Sequence, residues 1–124
     1  MTAKEIMSTE VVTISGSATV AEAVKLMKEK ELRALVVERR NPQDAYGIIT
    51  QRDIAYKVVA EGRNPASVAV HEIQSKPLIV VNPDLDVKYV ARLMARANLS
   101  RAPVIYQQEL QGVVSISDII NKAL

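Results

Sequence analysis

Two aspartates, each three residues after a hydroxyl side chain, are the groups in this sequence best spaced to do chemistry. The first closes Gly47-Ile48-Ile49-Thr50-Gln51-Arg52-Asp53-Ile54. The second closes Gly112-Val113-Val114-Ser115-Ile116-Ser117-Asp118-Ile119. Each stretch reads as a short buried strand running into a helix start. The hydroxyl and the carboxylate therefore fall where backbone N–H groups point outward and the helix dipole favours anions. An ionised carboxylate only accepts hydrogen bonds and can take both hydroxyls of a cis-diol. A second reading stands beside this one. Asp53 and Asp118 also suit helix caps or first-turn carboxylates that stabilise by ~1 kcal/mol, and Thr50 and Ser115 suit ordinary caps. Two such corners in one small chain point to a binding module with two related sites.

Composition narrows the chemistry further. The chain has 124 residues, one domain's worth, with 48% hydrophobic and 24% charged residues, as expected of a globular protein. It has no cysteine, which excludes disulfides, thiolate catalysis and zinc–cysteine sites. It has no Phe or Trp and only four Tyr, so the core must be aliphatic. No apolar run reaches the ~18 residues that would suggest a membrane span. The N-terminus lacks a signal-peptide pattern, and a cytoplasmic setting is expected. A net charge of +2 gives no reason to expect nucleic acid. The Arg39-Arg40 pair, with no interleaved aromatics, reads as a solvated loop tip. His71 alone offers no metal constellation. With no Walker lysine motif, no G-x-G-x-x-G and no nucleophile beside a plausible base, neither catalytic residues nor a metal or cofactor are expected.

The positioning elements come in duplicate. A shift of about 67 residues matches Ile6 with Ile73, Leu26-Met27 with Leu93-Met94 and Val37 with Val104. Beyond the loop after Val37 a shift of about 65 matches Gly47 with Gly112 and Asp53-Ile54 with Asp118-Ile119. The difference falls in a loop, where length changes cost little. Within each copy the periodicity changes in the same order. Glu10 to Ile14 and Leu78 to Val81 read as strands. Thr19 with Glu22 forms a capping box, Asp86 is an N-cap, and each precedes an amphipathic helix. Ala34 to Glu38 and Pro103 to Tyr106 read as strands, followed by strands ending at Ile49 and Val114. Helices over Asp53 to Ala60 and Asp118 to Leu124 close the copies. Pro103 is tolerable only at an edge or entry position. The boundaries are a first repeat over 1–62, a linker over 63–69 and a second repeat over 70–124, forming one module. A ~60-residue unit is marginal alone, so two units are expected to share a core.

The β-α-β-β-α order, the duplication and the Gly-h-h-Thr/Ser-x-x-Asp motif (h, aliphatic) resemble a cystathionine-β-synthase (CBS) domain pair, or Bateman module. The likeness runs from about Ala3 to Leu124, helped by Lys76-Pro77-Leu78-Ile79 and Arg101-Ala102-Pro103-Val104. It implies an α+β fold of tandem repeats packed with pseudo-twofold symmetry, sheets facing each other and helices outside. It also implies binding of adenosine ligands in two clefts. Asp53 and Asp118 would take the ribose hydroxyls, with Thr50, Arg52, Ser115 and Ser117 near ribose or phosphate. Ile48 and Val113 lie in the same motifs. The base would sit against the first strand of the opposite repeat, which places Leu78 and Ile79 with the Asp53 site and Val11 and Val12 with the Asp118 site. Arg33 and Arg101 precede or open the second strands, where basic residues meet phosphate. Val36 stands where the second repeat has Pro103, and Ser100 where some members carry histidine, so the sites are not expected to be equal.

These features lead to the expectation of a stand-alone adenine-nucleotide sensor, with AMP first and ATP or ADP close behind. S-adenosylmethionine or NAD is an alternative ligand. The expected partners are a second copy in a disc-like homodimer and an effector protein not encoded in this chain. The competing expectation is a ligand-independent dimerisation or scaffold module.

Overall fold

The computed structural model describes residues 1–76 and 79–124. Leu78, expected to face the first site, lies outside them. Two compact units emerge, and they cut across the linear repeats: one is Val12–Lys76, the other Met1–Val11 with Pro77–Leu124.

In the unit Val12–Lys76, β1 (Thr13–Ile14) pairs parallel with β2 (Ala34–Val37), which pairs antiparallel with β3 (Gly47–Thr50). Strand β1 is shorter than the expected run from Glu10. Helix α2 (Val20–Lys30) starts at a complete Thr19/Glu22 capping box and ends at Glu31 in the left-handed conformation. Val20, Ala23 and Met27 of α2 pack with Leu35, Val37 and Ile49, giving the expected aliphatic core. Val68 and Val70 belong to the same core. The segment read as a linker thus covers this core. Val20 N–H donates to Val68 O, and Val70 N–H donates to Ala18 O.

The other unit repeats this plan. Helix α5 (Val87–Ala97) is capped by Asp86, whose side chain accepts from Lys88 N–H, and ends at left-handed Asn98. Strands β4 (Arg101–Tyr106) and β5 (Glu109–Ser115) form an antiparallel pair. The chain start takes the role of the linker: Val87 N–H donates to Met1 O and Ala3 N–H to Leu85 O. Two short helices, α1 (Ala3–Ile6) and α4 (Val70–Ile73), carry these crossings. Each is one turn long, too short for hydrophobic periodicity to reveal.

The expected strand over Leu78 to Val81 is reduced, among the described residues, to one parallel bridge from Val81 to Val104. The proline explains part of the reduction. In the first repeat Val36 N–H donates to Val12 O. Pro103, at the matching position, has no N–H, so the corresponding bond to Ile79 cannot form. Pro103 is the third residue of β4, in register with Val113, rather than at its entry. Its nitrogen faces the side of β4 that, among the described residues, carries only the Val81 bridge.

The last helices differ. Helix α6 (Ile116–Ala123) is regular. Helix α3 spans only Gln51–Ile54 and continues as a π-helical segment over Ala55–Val59, with Ala60 N–H donating to Ala55 O. Among the described residues, no helix is long and apolar enough to cross a membrane.

Candidate functional site

The two motifs fold into matching corners. Thr50 is the N-cap of α3 and Ser115 the N-cap of α6. The aspartates sit at the third helical position and close a capping box with the hydroxyl residue. Asp53 Oδ2 accepts from Thr50 N–H at 3.0 Å and from Thr50 Oγ1–H at 2.9 Å. Asp53 N–H donates back to Thr50 Oγ1 at 3.1 Å. In the second corner Asp118 Oδ2 accepts from Ser115 N–H at 2.9 Å, and Asp118 N–H donates to Ser115 Oγ at 3.1 Å. Both carboxylates are 14–15% exposed, reachable only along an edge.

A lysine, absent from the expected site residues, completes each corner. Lys57 Nζ lies 3.4 Å from Asp53 Oδ1 and donates to Ile73 O at 3.0 Å. Lys122 Nζ lies 3.3 Å from Asp118 Oδ1 and donates to Ile6 O at 3.2 Å. The lysine thus ties the aspartate to the crossing helix, α4 in one unit and α1 in the other. A lysine four residues after each aspartate, repeated at the 65-residue shift, was the available signal; its carbonyl partner is too distant in sequence to infer.

The glycines of the motif have a steric cause. Beside Gly47, β3 meets the crossing segment: Ile48 and Ser75 form an antiparallel bridge. A Cβ at Gly47 would lie 2.0 Å from the side-chain oxygen of Gln74. Beside Gly112, Val113 bridges Ser8, and a Cβ would lie 2.6 Å from the backbone oxygen of Ser8. At Gly112 only glycine allows that approach, whereas at Gly47 the flexible end of Gln74 can move aside.

The other expected residues divide between the two units. Arg33 O accepts from Gln51 N–H at 3.0 Å, which places Arg33 beside the start of α3. The Arg52 guanidinium lies 5.1 Å from the Tyr56 ring centroid. Ile48 is buried on β3, and Val12 is half-buried where its carbonyl receives Val36. In the second corner Ser100 O takes the place of Arg33 O, accepting from Ile116 N–H at 3.1 Å. Arg101, half-buried, stands one position later, directly across from Ser115 in the β4–β5 register. Val113 and Val11 are half-buried, Ser117 is exposed, and Ile79 packs against the second core. Among the described residues, no cluster of three or more His, Cys, Asp or Glu could hold a metal ion.

A carboxylate offers about four acceptor positions. Three are taken by the cap and the lysine at Asp53. What remains at its exposed edge suits a hydroxyl donor.

The family described as CBS domain matches residues 3–60 and 70–124. The chain is 34% identical over 116 residues to the CBS domain-containing protein YhcV of Bacillus subtilis, covering 94% of this chain and 81% of that one. A hexameric CBS-CP12 protein from bloom-forming cyanobacteria is 58% identical with a TM-score of 0.94, over 98% of this chain and 67% of that chain. The CBS domain pair of protein MJ0100, solved with 5′-methylthioadenosine and S-adenosyl-L-methionine, has a TM-score of 0.83 at 27% identity, over 98% of this chain and 94% of that one.

Proposed function

The chain belongs to the CBS-domain family through both of its repeats, and we propose that it is a regulatory module that binds adenosine nucleotides rather than an enzyme. AMP is the leading ligand, with ADP and ATP next. The observation that carries this reading is the twinned corner, in which Thr50 with Asp53 and Ser115 with Asp118 hold a fixed carboxylate at a helix start. The ligands of MJ0100 support the adenosine class. In this reading Asp53 and Asp118 take ribose hydroxyls. Arg33, Arg52 and Arg101 meet phosphate, and Ile79, Val11 and Val12 contact the base. No resident cofactor is needed. Ligand binding would stabilise one conformation by RT ln(1 + [L]/Kd), about 2.7 kcal/mol at a hundredfold excess, and so bias what the module presents to a partner. That partner is proposed to be another protein together with further copies of this chain; the cyanobacterial neighbour is hexameric. A thermal-shift series with AMP, ADP, ATP, S-adenosylmethionine and NAD tests the reading. The expected result is a rise with AMP exceeding that with NAD. No shift with any of the five at millimolar concentration would discard it.

One observation favours a second reading, a ligand-independent scaffold. Both aspartates already have structural work as capping-box members and lysine partners. Asp53→Asn with Asp118→Asn retains an acceptor for the cap. If association with a partner is indifferent both to these changes and to nucleotide, the scaffold reading stands.

A further inference from the structure

Helix α5 carries charge of one sign. Lys88, Arg92 and Arg96 stand at i, i+4 and i+8, all exposed, on the side of the helix away from buried Val87, Val90 and Met94. No acidic residue lies in Val87–Ala97. Among the described residues none of the three cations has an ion pair. Asp86, the acid nearest in sequence, is committed to the cap and lies 3.9 Å from the N-terminal amine. Tyr89, 46% exposed, stands beside the row, with Lys88 Nζ at 5.0 Å and the Arg92 guanidinium carbon at 5.4 Å from its ring centroid. The row works against folding. Lys88 falls in the first turn, where the helix dipole disfavours a cation, and like charges four residues apart repel. The fold does not demand it: at the 67-residue shift α2 has Ala21, Lys25 and Glu29. A local rule broken in one repeat only, with no compensating ion pair among the described residues, marks a surface kept for binding.

We propose that the outer face of α5 docks an acidic helical segment of a partner protein, with carboxylates at i, i+4 and i+8. Such a segment repeats its charge about every 6 Å, the spacing of Lys88, Arg92 and Arg96 along α5. Arginine takes a carboxylate bidentately, and Tyr and Arg are among the residues enriched as anchors of protein interfaces. Nucleic acid fits less well. The Tyr89 ring is already engaged by two cations rather than open to a base, and the net charge of the chain is only +2. A membrane surface also fits less well, because the apolar face that would insert, with Val87, Val90 and Met94, is buried in the core. Neither nucleotide binding nor self-association is required.

Fluorescence anisotropy tests it, with the whole chain and a labelled, end-capped alanine-based peptide carrying glutamates at i, i+4 and i+8. The same peptide with glutamines is the control. Saturable binding of the glutamate peptide alone is expected, weakening as salt rises. Arg92→Glu should weaken it roughly tenfold or more. Lys25→Glu, the same charge change at the matching exposed position of α2, should leave it within about twofold. Lys88→Gln should also weaken binding, yet leave the melting temperature unchanged or higher, because it relieves the unfavourable charge at the helix start. Circular dichroism checks that each variant folds; should Arg92→Glu fail, Arg92→Gln with Arg96→Gln replaces it. No binding of the glutamate peptide, or equal losses for Arg92→Glu and Lys25→Glu, overturns the proposal. Tighter binding to an oligothymidylate or to phosphatidylserine vesicles than to the peptide overturns it as well.

Discussion

In the first repeat the corner is Thr50 with Asp53; in the second it is Ser115 with Asp118. The two hydrogen bonds that both caps share match closely, at 3.0 and 2.9 Å from the hydroxyl residue's N–H to the carboxylate and at 3.1 Å in both for the return bond. The charge around them does not match. Arg33 and Arg52 flank the first corner, whereas Ser100 and Ser117 hold those positions in the second and the cation moves to Arg101 on β4. The capping box depends on backbone geometry and so survives duplication. The flanking positions are free of that constraint and have diverged. The same contrast recurs at the glycines: Gly47 faces the flexible end of Gln74, Gly112 a backbone carbonyl.

The largest effect expected from breaking this comparison is on binding. Asp53→Ala should weaken AMP ten- to hundredfold, since a charge-assisted hydrogen bond is worth roughly 1.5–3 kcal/mol. Asp118→Ala should weaken whatever binds the second corner by a similar factor but leave the first unaltered. Isothermal titration of each variant separates the two corners; equal effects on one binding event would mean the corners do not act independently. Next come the glycines. Gly112→Ala should cost about 2–3 kcal/mol of stability, because Ser8 O cannot yield, and Gly47→Ala about 1 kcal/mol, because Gln74 can. The Gln74 oxygen is itself buried and has no hydrogen-bond partner among the described residues. Adding Gln74→Ala should therefore rescue Gly47→Ala in urea denaturation.

The lysines rank third. Lys57→Met and Lys122→Met each lose one hydrogen bond to a carbonyl and one partly exposed ion pair, and should cost about 1 kcal/mol apiece. Hydrogen exchange should show the loss at α4 for Lys57→Met and at α1 for Lys122→Met. The smallest effect is acid sensitivity. The hydrogen bond from Lys76, with that from Arg40 N–H, holds the Asp44 carboxyl far below the ordinary aspartate range; the Ala69 N–H and Arg63 lower Glu72. A folded value below the unfolded one means that the charged group stabilises above about pH 4 and that this contribution fades as pH falls further. Both groups belong to the unit Val12–Lys76. Acid unfolding midpoints should shift less with pH in Asp44→Asn than in the unaltered chain.

The α+β class, the two repeats, both N-caps and the Thr50/Asp53 and Ser115/Asp118 corners were legible in the sequence, because each depends on residues within a few positions of one another. The capping box of α2 needs only Thr19 and Glu22. Less legible was the π-helical course of Ala55–Val59, which the sequence reads as ordinary helix. The reduced first strand of the second repeat was also missed, although Pro103 marks where a donor is lost. Single-turn α1 and α4 left no periodic trace.

The sequence by itself thus determined the duplication, the order of elements and the local chemistry of each aspartate, all short-range facts. Tertiary structure alone decided which segment completes each unit. The chain start closes one core and the segment before Lys76 closes the other, so that Ile6 and Ile73 offer their carbonyls to Lys122 and Lys57. Those bonds join residues 116 and 16 positions apart. No propensity or spacing encodes such a pairing. It arises because an aliphatic core small enough to be marginal must be covered by whichever apolar segment can reach it.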